Sequence, residues 1–223
     1  METVSIIGVG RMGSLLAHKI SYDYNLILID KDLRKCGLLA QEIGALATGE
    51  YSMLKLSDYI ITALPASIIP NVLEDIKPYL SENQILINIS TDTEKDTFKP
   101  IQGLCKLASA KIIGHALNIA TTGELPLVLI DADDENVRQK TAEIFAHLGC
   151  TCYGSEKTVK LINNIASEEG IKAALTIEAR LKELNIPPEY ISFAIRNVAC
   201  GTMNAYALGE AGPFVQKIIE KLK

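Results

Sequence analysis

The stretch from Val4 to Asp32 decides the fold, and it reads VSIIGVGRMGSLLAHKISYDYNLILIDKD. An apolar run that ends at Ile7 meets a glycine-rich turn, and apolar residues then recur at helical spacing until Ile20. A second apolar run stops at Asp30. The pattern predicts a strand, a glycine turn, a helix and a second strand that ends in an acid.

The glycines of the turn each have a physical role in binding a diphosphate. Gly8 permits the tight turn out of the strand, Gly10 lets the backbone approach a pyrophosphate, and Gly13 lets the helix pack on the strand. The free N–H groups at the start of the helix, at Arg11 and Met12, then face the anion. We therefore predict that these five residues bind a dinucleotide. A glycine turn without a ligand is the alternative.

Asp30 indicates which dinucleotide would bind. It stands at the end of the second strand, where a carboxylate accepts hydrogen bonds from the hydroxyls of the adenosine ribose. The same negative charge repels the 2′-phosphate of NADP, so Asp30 favours NAD. Lys31 and Arg34 follow and would instead attract that phosphate, although solvated surface is the other interpretation of both cations. We predict NAD as the cofactor, with NADP as the alternative.

Composition limits the classes of partner. The chain has 223 residues, 48% hydrophobic and 22% charged, with a net charge of −5 and no block of lysine or arginine. These values predict a soluble, core-forming protein, and they argue against nucleic acid or a membrane as a partner. The partner that we expect from the dinucleotide turn is a small-molecule substrate. The chain enters its first strand directly, so we expect no targeting segment and a cytoplasmic location. The five cysteines are scattered, which predicts buried free thiols rather than a metal site.

The order of the remaining segments predicts two domains. Short apolar strands alternate with helices up to about residue 154, which predicts a doubly wound, mainly parallel α/β sheet of the Rossmann type over residues 1–154. Residues 155–223 show only helical periodicity, which predicts a small helical domain for substrate binding and dimerisation. A helical unit below about 70 residues cannot bury its apolar faces alone, so we predict a homodimer through these helices.

Several segments follow strands of the predicted sheet. Leu64 and Pro65 end one strand, Ser90 ends the next, and His115 follows a third. Open parallel sheets bind ligands beyond the carboxyl ends of their strands. We therefore expect Leu64 and Pro65 to border the cofactor, and Ser90 and His115 to lie near the nicotinamide ring. Capping of the next helix is the alternative role of Ser90.

The long helix after residue 155 has polar side chains on one stripe. Lys160 and Asn164 are one helical turn apart and share a face, with Asn163 beside them. An amine that is partly shielded from water suits proton transfer near neutral pH, so Lys160 and His115 are both candidate acids or bases. The alternative is that Lys160 reaches into water while the asparagines cap or cross-link helices.

Three segments together resemble the β-hydroxyacid dehydrogenases. They are Gly8-Val9-Gly10-Arg11-Met12-Gly13, Ile89-Ser90-Thr91 and Lys160-Leu161-Ile162-Asn163-Asn164. That family lies in the 6-phosphogluconate dehydrogenase-like superfamily, with the pyrroline-5-carboxylate reductases, the prephenate dehydrogenases and the deazaflavin-dependent NADP oxidoreductases. The resemblance implies that Lys160 transfers a proton, that Asn164 positions the substrate and that Ser90 lines its site.

The chain departs from that pattern in ways that leave the substrate open. Residues 117–123 read LNIATTG where the hydroxyacid enzymes have a serine-glycine-glycine loop. Gly114-His115 instead resembles the Gly-x-His element of prephenate dehydrogenases, which would make His115 the catalytic residue. The Gly-x-Gly-x-Met-Gly form of the turn also resembles pyrroline-5-carboxylate reductases, whose C-terminal signature the sequence lacks.

The sequence thus predicts an NAD(P)-dependent oxidoreductase. It would transfer a hydride between nicotinamide and a small hydroxy-acid, imino-acid or related substrate. The rival from another class is a dinucleotide-binding sensor or scaffold without turnover. A Lys160 side chain turned away from the nicotinamide end would favour this rival.

Overall fold

Eight strands form one sheet in the computed structural model of the protein, which describes residues 1–222. In chain order the strands are β1 Thr3–Ile7, β2 Asn25–Ile29, β3 Leu46–Thr48, β4 Tyr59–Thr62, β5 Ile85–Asn88, β6 Lys106–Ile113, β7 Leu127–Asp131 and β8 Cys150–Tyr153. Their order across the sheet is β3-β2-β1-β4-β5-β6-β7-β8. The strand order therefore reverses between β1 and β4, and open α/β sheets bind ligands in the crevice at such a reversal.

The direction of the strands agrees with most of the expectation. Neighbours are parallel from β3 through β6, whereas β7 is antiparallel to β6 and parallel to β8. Ile7 of β1 pairs with both Ile29 of β2 and Thr62 of β4, so these three carboxyl ends lie side by side. The prediction of a doubly wound, mainly parallel sheet is confirmed, and the reversed direction of β7 is an addition to it.

Helices connect the strands. Within residues 1–222 the α-helices are α1 Arg11–Ile20, α2 Leu33–Ile43, α3 Ile69–Ile76, α4 Ala116–Thr122, α5 Glu135–Ala146, α6 Glu156–Glu183, α7 Pro188–Phe193, α8 Cys200–Ala207 and α9 Pro213–Leu222. The 3-10 segments are Tyr51–Leu56, Lys77–Tyr79 and Lys95–Ile101, and the π-helical segment is Ala194–Ala199. Asp32 and Asp134 are the N-cap residues of α2 and α5, and their side chains accept hydrogen bonds from N–H groups of the first turn.

The central strands β1, β2, β4 and β5 are buried on both faces, which explains why they are almost continuously apolar, whereas the edge strands β3 and β8 are exposed or half-buried. Val4 and Ile6 of β1 belong to the same core cluster as Leu16 and Ile20 of α1. Ile7, the next residue of the strand, belongs to the core cluster on the other face. Packing on both faces holds the carboxyl ends of the strands in place.

The chain divides into two compact units. The first is Met1–Asn163, which contains the sheet and the first turns of α6, and the second begins at Asn164. The expected boundary after residue 154 lies just before α6, whereas this division falls inside the helix. Within residues 164–222 the second unit is formed by helices. No helix in the described part of the chain is long and apolar enough to cross a membrane.

Two local features differ from the expectation. Helix α4 was not predicted, and it ends at Gly123 in the left-handed conformation, with a φ of +74°. The five cysteines are free, and Cys36 and Cys105 are buried as expected. The prediction of buried thiols is wrong for Cys150 and Cys200, which are exposed because one begins the edge strand β8 and the other lies on an uncovered face of α8.

Candidate functional site

The turn after β1 contains two glycines that the fold itself requires and a third that it does not. Gly8 has a φ of +99°, and a Cβ there would lie 2.6 Å from the carbonyl oxygen of Ala63. A Cβ on Gly13 would collide with the carbonyl oxygen of Gly8. A Cβ on Gly10 would meet no described protein atom within 4 Å. The space beside Gly10 is open, as close approach of a pyrophosphate requires.

Helix α1 begins beside that open space. Gly10 is its N-cap residue and provides no side-chain hydrogen bond, and the described residues of the first turn include no acid. The first N–H groups of a helix have no partner within it, so those of Arg11 and Met12 are available to an anion. The Arg11 side chain is exposed and adds a positive charge. The turn therefore fits a diphosphate in space, charge and hydrogen-bond donors.

The carboxylate of Asp30 lies against the same turn. Its Oδ2 accepts a hydrogen bond from the N–H of Val9 at 2.7 Å, and its Oδ1 accepts one from the N–H of Asp32 at 2.9 Å. Each carboxylate oxygen can accept a further hydrogen bond, so ribose hydroxyls would still find acceptors. Lys31 and Arg34 are both exposed. Asp30 thus has a structural contact with the turn that the sequence did not indicate.

A cleft of about 180 Å³ opens where β4, β5 and β6 end. Its lining residues are Met12, Ala63, Leu64, Ile89, Ser90, Thr91, Ile112 and Gly114. The cleft adjoins the glycine turn, because Met12 belongs to the first turn of α1. The structure therefore brings Met12, Leu64 and Ser90 together, while Pro65 follows the cleft wall and is exposed.

Hydrogen bonds fix the loop that follows β5. The N–H of Ser90 donates to Asn88 Oδ1 at 3.0 Å, and Asn88 Nδ2 donates to the carbonyl oxygen of Thr93 at 3.1 Å. The hydroxyl of Thr93 donates to Ser90 Oγ at 3.1 Å, so the Ser90 hydroxyl can still donate to a ligand. Glu94, not Ser90, is the N-cap residue of the following 3-10 segment. The alternative role of Ser90 as a helix cap is therefore wrong.

The start of α6 lies beside this loop. Lys160 Nζ is 3.9 Å from Oδ1 of Asp92, and the lysine side chain is 39% exposed. Asp92 follows the cleft residue Thr91, so the Lys160 amine lies beside the residue next to the cleft, although Lys160 is not among the lining residues. Asn163 Nδ2 donates to the carbonyl oxygen of Ile112 at 2.9 Å, which joins α6 to the cleft wall.

His115 and Asn164 are both exposed. His115 directly follows the cleft residue Gly114 and is the N-cap residue of α4, without a side-chain hydrogen bond to that helix. Asn164 is the first residue of the second unit. Catalytic roles for these two residues, and for Lys160, stay predictions.

Known proteins support a family for the first part of the chain. Residues 3–92 match the model of a family described as NADP oxidoreductase, coenzyme F420-dependent. The chain has an NAD(P)-binding oxidoreductase domain. The match includes the glycine turn, Asp30 and Ser90, and it confirms the predicted superfamily, the predicted class of enzyme and the nicotinamide dinucleotide as cofactor. No curated protein matches the sequence.

Solved structures with low sequence identity share the fold of this oxidoreductase. Pyrroline-5-carboxylate reductase from Coxiella burnetii has a TM-score of 0.72 and 16% identity, covering 99% of this chain and 84% of that chain. The Plasmodium falciparum pyrroline carboxylate reductase with NADP bound has a TM-score of 0.71 and 18% identity, and the match covers 100% of this chain and 84% of that chain. An imine reductase from Myxococcus stipitatus in complex with NAD⁺ has a TM-score of 0.66 and 18% identity, covering 93% and 75%.

Two buried charges beside the cleft of this oxidoreductase were not predicted from the sequence. Lys111 of β6 has a side chain that is 1% exposed, and its Nζ donates to the carbonyl oxygens of Ser90 and Thr93. Oε2 of Glu156, in a side chain that is 6% exposed, lies 3.5 Å from this Nζ. Burial lowers the pKa of Lys111 to about 8, against the opposing effect of Glu156. The sequence signal that could have indicated this buried pair is a lysine next to the apolar residues at the end of β6.

Proposed function

We propose that the protein is an NAD(P)-dependent oxidoreductase that transfers a hydride between nicotinamide and a small imino-acid, hydroxy-acid or related substrate. The main support is the continuity of the glycine turn with the cleft, because Met12 belongs to both. A cofactor whose diphosphate binds at the start of α1 is within reach of that cleft. The nicotinamide supplies the hydride chemistry when the cofactor is bound.

Residues of the chain would orient the substrate and move the proton. Ser90 lies in the cleft wall with a hydroxyl that can donate a hydrogen bond. Lys160 is the first candidate acid or base, since its amine is beside Asp92 of the same loop. His115, next to the cleft residue Gly114, is the alternative, and Asn164 is a candidate substrate anchor.

Within this proposal we favour an imino substrate over a hydroxy acid. The structures that share the fold include pyrroline-5-carboxylate reductases and an imine reductase bound to NAD⁺. Helix α4 also occupies the segment where hydroxyacid enzymes have their serine-glycine-glycine loop. Reduction of a C=N bond requires a hydride at carbon and a proton at nitrogen, and one acid beside the cleft can supply that proton. A prephenate-dehydrogenase-like reaction that depends on His115 is the second candidate.

Calorimetric titration with NADH and NADPH tests the cofactor. We expect NADH to bind more tightly, because the carboxylate of Asp30 repels a 2′-phosphate. Equal or tighter binding of NADPH would show that Lys31 and Arg34 outweigh Asp30. NADH oxidation should then be measured with cyclic imino acids, and NAD⁺ reduction with hydroxy acids. Tight NADH binding with no turnover of either class would favour the binding-only sensor or scaffold.

We also propose that the second unit joins two copies in a homodimer in the cytoplasm. Ile191 is the one buried hydrophobic residue among the described residues from 164 onward. Large exposed hydrophobic residues of this unit are Ile165, Ile171, Leu175, Leu184, Tyr190, Phe193, Val198, Met203, Tyr206, Leu208, Phe214, Ile218 and Leu222. A second copy would supply a matching apolar surface for those of these side chains that lie together on one face.

Light scattering at micromolar concentration tests the dimer. Leu175→Glu should shift the protein toward a monomer, because a charge would be placed in the proposed interface. Leu38→Glu is a matched control, since Leu38 of α2 is 62% exposed and Leu175 is 60% exposed. A monomeric mass for the wild-type protein would refute the dimer.

A further inference from the structure

Lys111 connects two ends of the loop that lines the cleft. Its Nζ donates to the carbonyl oxygen of Ser90 and, at 2.8 Å, to that of Thr93. Ser90 is in the cleft wall, and Thr93 is the residue whose hydroxyl donates to Ser90 Oγ. One buried cation therefore holds both ends of the segment 90–93.

Glu156 connects the same cation to α6 and to the 3-10 segment. Its Oε2 lies 3.5 Å from Lys111 Nζ, and its Oε1 accepts a hydrogen bond from the N–H of Lys95 at 2.7 Å. The N–H of Glu156 donates to Oδ2 of Asp131 at 3.2 Å. The first residue of α6 is thus joined to β6, to β7 and to the segment that follows the cleft loop.

Packing alone does not explain a charge at this position. Moving an ammonium group from water into a protein is costly, and an apolar side chain of similar length would fill the same volume. The acidic groups that act on the Lys111 amine are Glu156 of α6, Asp131 of β7 and Glu94, the residue before the 3-10 segment Lys95–Ile101. The two hydrogen bonds of the amine go to the carbonyl oxygens of Ser90 and Thr93, so the charge stabilises the loop that lines the cleft.

We propose that Lys111 is a positioning residue, which holds the 90–93 loop in the shape that accepts the nicotinamide end of the cofactor. The amine does not touch the cofactor itself. It sets the position of the Ser90 backbone, and through Thr93 it sets the direction of the Ser90 hydroxyl. This assignment rests on the proposed function, because it presupposes a dinucleotide on the glycine turn.

Comparing the affinities of the full chain for NADH and for ADP-ribose distinguishes the nicotinamide end of the site from the adenosine-diphosphate end. ADP-ribose has the adenosine and diphosphate of NADH but lacks the nicotinamide. The double variant Lys111→Met/Glu156→Gln removes both buried charges at once, which avoids leaving either one unpaired. Gln at position 156 keeps an oxygen for the N–H of Lys95. Ser109→Ala is the control, since Ser109 is buried on β6 nearby and its Oγ has no hydrogen-bond partner among the described residues.

We expect the double variant to bind NADH roughly tenfold more weakly, the loss expected when the displaced loop forfeits one hydrogen bond to the nicotinamide end. Its ADP-ribose affinity should be unchanged, and the nicotinamide fluorescence of bound NADH should shift toward that of NADH in water. The single variant Lys111→Arg keeps a charged donor and should therefore bind NADH more tightly than the double variant does. Ser109→Ala should bind both ligands as the wild-type protein does.

Three outcomes would overturn the assignment. Unchanged NADH affinity in the double variant would show that Lys111 does not position the loop. Equal losses for NADH and ADP-ribose, with a lowered unfolding temperature, would show a general structural role. A wild-type protein that binds neither ligand would refute the proposed function and the positioning role together, and this result is distinct from the other two.

Discussion

Replacing Gly10 with Ala should separate cofactor binding from folding. A Cβ at position 10 would meet no described protein atom within 4 Å, and the backbone there has a φ of −66° that alanine adopts readily. The cost to folding is then the weaker N-cap preference of alanine, about 1 kcal/mol or less, which lowers the unfolding temperature by roughly 2–4 °C. The same Cβ would occupy the space that a diphosphate needs. Loss of one charge-assisted hydrogen bond to α1 costs about 1.5–3 kcal/mol, so NADH should bind roughly 10- to 150-fold more weakly.

Gly13→Ala is the matched control for this experiment. A Cβ there would collide with the backbone carbonyl of Gly8 and lie 3.2 Å from Ala63 Cβ, so the turn must move. Overpacking of this kind costs about 1–3 kcal/mol, or roughly 2–12 °C in unfolding temperature. Scanning fluorimetry and calorimetric titration with NADH would measure both properties. Unchanged NADH affinity in Gly10→Ala would refute the diphosphate site. A markedly lower unfolding temperature of that variant would refute the inference that the space beside Gly10 is open.

Two further predictions concern proton transfer and pH. Lys160→Met should leave NADH affinity nearly intact and reduce turnover of an identified substrate by roughly 10²–10⁴-fold, the usual share of general acid–base catalysis, whereas His115→Asn should cost less in steady-state kinetics. The reverse ranking would assign proton transfer to His115, and no loss from either change would favour binding without turnover. Because burial lowers the pKa of Lys111 to about 8, the unfolded chain binds more protons than the folded protein between about pH 8 and pH 10. The wild-type protein should therefore gain stability relative to Lys111→Met/Glu156→Gln across this range in urea unfolding, and a relative loss would contradict the lowered pKa of Lys111.

The glycine turn was predictable because its determinants are local. A Cβ on Gly13 would collide with the carbonyl oxygen of Gly8, so the close packing of the turn depends on glycines whose spacing is visible in the sequence. The apolar run before Asp30 likewise identifies a strand that is buried on both faces. Parallel pairing from β1 to β6 then follows, because helices or long connections join these strands.

The remaining features depend on groups that are distant in sequence. Lys111 is buried because Glu156 and the carbonyl of Thr93 come to it from other elements, and periodicity along β6 contains no information about them. The antiparallel direction of β7 was not predictable for a similar reason, because a short apolar run has the same pattern in parallel and antiparallel strands. Helix α4 was missed because its β-branched residues weaken the helical signal, while Gly123 closes the helix at its end.

The contact between Asp30 and Val9 has a consequence for attempts to retarget the protein to NADP. The usual change would replace the acid with a small neutral residue and rely on the neighbouring cations for the extra phosphate. Here the same carboxylate accepts the Val9 N–H at 2.7 Å, so its removal would also leave a donor of the glycine turn unsatisfied. Asp30→Asn, which keeps one oxygen acceptor, is therefore a better starting point than Asp30→Ala. Cofactor preference and the rigidity of the turn are coupled in one side chain, and selection for one property would act on the other.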